Sequence, residues 1–317
     1  MDRLQGNMPP TRDDAGFGSA GGRGEVLAVS GSPMGRAAKD AAVFLEAARL
    51  NQEDPLRKGS LLRAPKYGQF VMTGDIHGHE RNFERLKKFA DLRHAPGRHV
   101  LLHELIHSEP TPLDAADTSH RVMLDAARWK IEFPDQVHFI QSNHELSQLT
   151  GKQISKGGRI VNFDFERSLA VDYGDDARLV LDALTTHIAS FPLAVRTENR
   201  IFLSHSLPNA RDLPYFDPSV LNRTLQSEDL CEGGDAYLLV WGRQHTPELL
   251  EQLAKGFDVD LFICGHQPQE DGYEVVHDRL IILASDHNHG VFLPFDLRKS
   301  YTVQDLARLI RPFAAIE

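Results

Sequence analysis

The 317-residue chain holds only two cysteines, Cys231 and Cys264. They lie far apart and fit no metal-ligand spacing, so neither a disulfide framework nor a cysteine metal site is expected, and a reducing compartment is. Long apolar runs are missing as well. No stretch reaches the roughly eighteen apolar residues that a membrane helix takes, so no membrane span is expected. The opening MDRLQGNMPPTRDD has no apolar segment of the secretory kind, which makes a cytoplasmic setting the expectation. Positive charge is in deficit, with 35 Lys and Arg against 45 Asp and Glu and a formal net charge of -10. That balance argues against general binding to nucleic acid or anionic membranes, and it leaves room for a small phosphate-binding cleft. Histidine, by contrast, is abundant: sixteen residues, many in short clusters.

Residues 1–36 are rich in Gly, Pro, Ala and Arg and read as a disordered segment. Residues 37–66 read as an amphipathic helix over 38–51 followed by a linker with two prolines. Residues 298–317 read as a tail whose helix, Val303–Ile310, packs on the main domain. Between them, over 67–297, one form repeats: a buried apolar run followed by a polar loop. It occurs in QFVMTGDIHGH, in Arg98–Leu105, before SNHE, before HSLP, before GHQP and before SDHNHG. Such alternation with helical stretches predicts an α/β fold with its site at the strand ends.

Residues 103–107, HELIH, carry the spacing of a zinc protease, in which two histidines lie one helical turn apart with the glutamate as base. Pro110 and Pro112 stop such a helix at once. A third ligand would have to come from Asp114, Asp117, Asp125 or Glu132 without a motif to mark it. The protease reading also leaves the other polar loops unexplained. Those loops supply Asp75 and His77, Glu104, Asn143 and His144, His205, and His266. These are carboxylates, imidazoles and an amide, all able to ligate metal at neutral pH. One such residue is usually a hydrogen-bonded loop residue. Five such loops match the inventory of two cations that share a carboxylate.

Taken in order, GDIHGH, SNHE, LSHS and CGHQP resemble the calcineurin-like metallophosphoesterases, and within them the serine/threonine phosphoprotein phosphatases. ARWKIEFPDQVHFIQSNHE, YLLVWGRQ, GHQPQEDGYEV and SDHNHG extend the resemblance over about residues 68–297. It implies a four-layer α/β/β/α sandwich of two mixed sheets flanked by helices. It also implies a metal-dependent phosphatase holding two divalent ions (Mn, Fe or Zn). By the same resemblance Asp75 and His77 bind the first metal, and Asn143, His205 and His266 bind the second. Glu104 stands where the bridging aspartate of Gly-Asp-x-x-Asp-Arg-Gly falls. His144 becomes the general acid for attack by a metal-bridging hydroxide.

The second motif is altered. His103 stands at its glycine, His107 at the aspartate that orients His144, and Ser108 at its arginine. A neutral His107 can still hold His144 through one nitrogen. Gln141 and His289 replace an arginine and a tyrosine of the family, which leaves Arg243 as the candidate phosphate clamp. Protonation of His107 and His289 would restore lost positive charge, so substrate binding is expected to respond to pH between about 6 and 8. The implied substrates are phosphomonoesters, with phosphoserine or phosphothreonine in proteins as the family's commonest and a dinucleoside polyphosphate or other small phosphoester open. The altered motif also keeps open a weak or inactive metal- or phosphate-binding regulatory protein of the same fold. Glu145 reads as a structural residue. His79, His94, His99, His120, His138 and His187 read as surface or packing residues.

Overall fold

In Gln69–Thr73, Phe70 and Met72 point to one side and Val71 to the other, as in a strand covered on both faces. The computed structural model describes residues 35–108 and 116–317. Residues 1–34, nearly all of the stretch read as disordered, and Pro110, Pro112 and Asp114 lie outside the described residues. Gln69–Thr73 sits at the centre of a five-stranded sheet ordered Arg311–Pro312, Val291–Asp296, Gln69–Thr73, Arg98–Leu102, Val137–Phe139. The last three strands run parallel, and the other pairings are antiparallel. A seven-stranded sheet is ordered Arg57–Lys58, Leu61–Arg63, Ala194–Arg196, Ile201–Ser204, Leu261–Cys264, Leu280–Leu283, Tyr273–Val276. Its Ile201–Ser204, Leu261–Cys264 and Leu280–Leu283 strands are parallel neighbours.

Strand alternation sorts the apolar side chains into three cores. Phe70, Met72 and Leu101 meet Leu203, Ile263 and Leu283 between the sheets. On the outer face of the smaller sheet, Val71, Val100 and Leu102 pack under helices that contribute Phe44, Phe83, Trp129 and Phe165. On the outer face of the larger sheet, Phe202, Phe262 and Ile282 pack under Leu239, Leu250 and Phe257. The expected sandwich of two mixed sheets flanked by helices is therefore the observed fold.

Three segments differ from the sequence reading in detail. Part of the stretch read as linker forms strands of the larger sheet, Arg57–Lys58 and Leu61–Arg63, with Leu61 and Leu62 in different cores. Strands of two and three residues are too short to display an alternation. The helix Arg36–Gln52 sinks Ala37, Ala41, Phe44 and Ala47 into the helix-side core. The last helix is only Val303–Ala307, started by a reciprocal Thr302–Asp305 cap, and the chain then pairs Arg311–Pro312 with Val291–Phe292. Among the described residues no helix is long and apolar enough to cross a membrane.

Away from the strand-end loops an ion pair is buried between Lys130 and Asp54. Lys130 is fully buried, its Nζ 3.4 Å from Asp54 Oδ2 and donating to Pro134 O at 2.6 Å. Asp54 Oδ2 also lies 3.1 Å from His138 Nδ1, and His138 Nε2 lies 3.1 Å from His99 Nδ1. Burial pushes the Asp54 carboxyl up, but the His138 hydrogen bond and the Lys130 charge outweigh it and hold it at about 2. The unfolded value is about 3.9. The contribution of Asp54 to stability is therefore complete above about pH 4 and lost as pH falls through about 2. Asp54→Ala leaves the Lys130 ammonium buried without a counter-charge, and urea unfolding at pH 7 should show a loss of about 3–5 kcal/mol.

Candidate metal centre

Six parallel-running strand ends converge on one edge of the sandwich, three from each sheet. A polar loop follows each: Asp75 after Gln69–Thr73, Glu104 after Arg98–Leu102, Asn143 after Val137–Phe139, His205 after Ile201–Ser204, His266 after Leu261–Cys264, and Ser285 after Leu280–Leu283. The two sheets are stitched together there. Asp75 forms an isolated parallel bridge with Ala284, and Ser285 N donates to Asp75 O at 3.0 Å.

The loops are strained where the site is built. His77, Glu104, His107 and His266 all have left-handed backbone, with φ of 44°, 47°, 63° and 72°. Side chains disfavour that region, so surrounding bonds must hold it. The Glu104 carbonyl accepts from Ile76 N at 2.9 Å and His77 N at 2.8 Å. Glu145 Oε1 accepts from Leu105 N at 2.7 Å, and Ser119 Oγ accepts from His107 N at 2.9 Å. Ser142 caps the helix Asn143–Thr150 and also bonds the Glu145 carboxylate, so Glu145 ties the Asn143–His144 turn to the 103–107 loop. This backbone excludes the protease helix. HELIH is an irregular loop, and its two histidines face different partners.

Glu104 occupies the middle. Its Oε1 lies 3.1 Å from His77 Nε2 and 3.9 Å from His144 Nε2. Its Oε2 lies 3.0 Å from His205 Nε2 yet makes no hydrogen bond, although the atom is buried. Beyond it, Asn143 Oδ1, His205 Nε2 and His266 Nδ1 stand 2.6–3.0 Å from one another. His77 Nδ1 is 2.9 Å from Ile106 O, so that nitrogen carries a hydrogen and Nε2 is the atom directed at Glu104. The expected ligands Asn143, His205 and His266 are thus brought together, with Glu104 spanning from them to His77. Asp75 Oδ1 accepts from His266 N at 2.9 Å and lies 3.5 and 3.6 Å from Nδ1 of His103 and His205, and the charges of Asp75 and His77 act on each other.

The donor set fits cations. The Asn143 and Glu104 oxygens carry no proton to share, and a cation bonded at about 2.1 Å sets neighbouring donors about 3 Å apart. Charge says the same. Burial first, and then the charge of Glu104, push the Asp75 carboxyl well up. Burial works against ionised Glu104 too, but His205, His144 and His77 outweigh it and hold the carboxyl well down. Burial lowers His77 while Glu104 raises it more, to about 9. Burial sends His144 and His205 well down, and burial with the Arg243 charge brings His266 to about 3. Neutral His144, His205 and His266 beside buried carboxylates suit a cation, and His77 would give up its extra proton to one.

His107 sits beside His144, Nδ1 to Nδ1 at 3.0 Å, with its Nε2 3.0 Å from Gln148 Oε1. Gln148 Nε2 donates to Glu166, which fixes the amide's orientation. Burial holds His107 at about 4, so it stays neutral between pH 6 and 8 and cannot supply the expected pH-dependent charge there. His289 is exposed, 3.2 Å from Glu270 O. Arg243 is exposed, its backbone N bonded to Asn209 Oδ1, and its charge reaches His266. The guanidinium has no partner among the described residues. Two residues had no part in the expected phosphoesterase site. His103 is buried against His205, and the charge of Lys156, on the hairpin Ser155–Lys156 and Arg159–Ile160, lowers both His77 and His144. The hairpin's GG turn was the only sequence signal near Lys156.

The chain matches the calcineurin-like phosphoesterase family over residues 68–270. It belongs to that family. A protein serine/threonine phosphatase from Saccharomyces cerevisiae shares the fold at 17% identity and a TM-score of 0.64, covering 89% of this chain and 90% of its own. A cold-active protein-tyrosine phosphatase of a psychrophilic Shewanella does so at 14% identity and a TM-score of 0.53, covering 79% and 80%. Such identities show the fold alone. Among curated proteins nothing matches. In this calcineurin-like phosphoesterase two His/Asp/Glu groups could hold a metal among the described residues: Asp75 with His103 and His205, and His77 with Glu104 and His144. Gly265 leaves the space between them and the last loop. A Cβ there would collide with Asp75 Oδ1 and come within 2.6 Å of His103 Cε1. Gly265→Ala should therefore weaken manganese binding by roughly ten-fold or more, read by calorimetric titration.

Proposed function

We propose that this phosphoesterase hydrolyses phosphomonoesters at a two-metal centre, with phosphoserine or phosphothreonine in proteins as the substrate class. One observation carries the reading. Glu104 reaches His77 with one oxygen and the Asn143, His205 and His266 cluster with the other. Asp75, His77 and Glu104 would hold one ion, and Glu104, Asn143, His205 and His266 the second. Two divalent ions supply an activated water and neutralise phosphoryl charge. Manganese, iron and zinc all suit this donor set.

The chain's own groups do the rest. Arg243, exposed and without a side-chain partner among the described residues, holds a phosphoryl oxygen by a charge-assisted hydrogen bond. Lys156 adds positive charge from the opposite hairpin. His144, steadied at Nδ1 by His107, directs Nε2 toward the Glu104 side of the cleft. That nitrogen is bare in the neutral ring, so it must first take a proton, which the charge of Glu104 favours, before it passes one to the leaving oxygen. Glu145 holds the turn that carries His144.

Hydrolysis of p-nitrophenyl phosphate and bis-p-nitrophenyl phosphate with added manganese tests the activity. Turnover of the monoester is expected. Two bound ions with no turnover of either compound would instead support the regulatory reading. His144→Gln should lower kcat by roughly a hundred- to ten-thousand-fold while the metal content stays at two. Glu104→Ala should lose the metal pair, and full activity in that variant would remove Glu104 from the centre. Arg243→Ala should raise KM by roughly ten-fold with little change in kcat.

A further inference from the structure

His103 begins the loop after Arg98–Leu102, and its ring is buried out of reach of water. Its Nε2 lies 2.9 Å from Thr73 O. A carbonyl oxygen only accepts, so that nitrogen carries the ring's hydrogen. Its Nδ1 lies 3.0 Å from His205 Nδ1. One hydrogen is shared across that contact, and in neutral His103 it cannot belong to His103. His205 Nδ1–H is then the donor. The consequence falls on the far side of the His205 ring. Its Nε2 is left as a bare lone pair facing Asn143 Oδ1 at 2.6 Å, His266 Nδ1 at 3.0 Å and Glu104 Oε2 at 3.0 Å.

We propose that His103 is a positioning residue: its Nδ1 accepts the hydrogen of His205 Nδ1 and so presents His205 Nε2 to the metal. The proposal rests on the reading of Asn143, His205 and His266 as ligands. Ligating imidazoles take their orientation from the bond made by the other nitrogen, and here that acceptor is a second imidazole anchored on backbone. The same device recurs nearby. His107, bonded through Nε2 to Gln148, offers Nδ1 to His144 Nδ1. Both outer residues of HELIH thus serve another histidine. The packing leaves little freedom for a different arrangement, because Gly265 supplies the clearance on one side of the His103 ring and Asp75 Oδ1 is already bonded to His266 N. Without an acceptor at this position, the His205 N–H would be buried unpaired, and the ring could turn or change tautomer.

The test compares manganese titrations, by calorimetry, of the metal-free full chain and two variants. In His103→Asn the amide oxygen stands near the place of Nδ1 and can accept from His205. In His103→Gln the amide reaches toward Thr73 and leaves the Nδ1 place empty. Wild type should bind two ions, the Asn variant should stay close to it, and the Gln variant should bind one of the two ions roughly ten- to a hundred-fold more weakly. Unchanged affinity in the Gln variant would overturn the proposal. Equal losses in both variants, with one ion missing, would overturn it in favour of His103 as a ligand. Nitrogen-15 NMR of the zinc-loaded protein reads the same point: a bare His103 Nδ1 is expected, and a zinc-bound one would overturn the proposal. Wild type that binds no ion would refute the metal-centre reading itself. Urea unfolding of the metal-free proteins checks folding, and His103→Gly replaces the Gln variant, with the same expected loss, if the latter does not fold.

Discussion

The rest of the site depends on the buried carboxylate of Glu104. Its two oxygens face different groups of histidines, and its own backbone carbonyl takes both N–H groups of the Asp75–His77 turn. One residue therefore joins the loops of two parallel strands through the main chain and the two halves of the site through the side chain. Away from water its charge acts over several ångströms. It raises His77 to about 9 and pushes the Asp75 carboxyl up, while the surrounding imidazoles hold Glu104 itself down. A glutamate has one more methylene than the aspartate the family pattern carries, and the left-handed backbone at this residue accompanies that longer reach.

Around that charge, histidines replace groups that elsewhere in the family would be an aspartate and a glycine. An aspartate beside His144 would orient the ring and stabilise its charged form. His107 performs the orientation by a hydrogen bond alone, because burial keeps it neutral. The Glu166–Gln148–His107–His144 chain carries that ordering outward to a helix on the sandwich's flank. The site thereby exchanges electrostatic support for geometric support.

The architecture explains why so many loops can contribute. Parallel strands place their carboxyl ends on one edge, and two sheets packed face to face bring two such edges together. Asp75 and Ala284 meet across that seam. Strained loop backbone persists there because the strands on both sides are buried in three apolar cores.

Much of this was legible from local patterns. Apolar runs ending in GDIHGH, SNHE, LSHS and CGHQP marked the strands, and their order marked the family and the sandwich. The strands at 57–58 and 61–63 were illegible because two or three residues show no period. The end of the last helix was missed because Arg311–Pro312 joins a strand far away in sequence. HELIH shows the limit most clearly. Its letters suit a helix, and only the bonds from Glu145, Ser119 and the Asp75–His77 turn hold it as a loop. The sequence by itself determined which chemical groups reach the strand ends. Tertiary structure alone decided that Asp75 lies near His103 and His205, that Lys156 lies near His77 and His144, and that His107 stays neutral. Those outcomes depend on burial and ring orientation, which distant segments impose on one another only when packed.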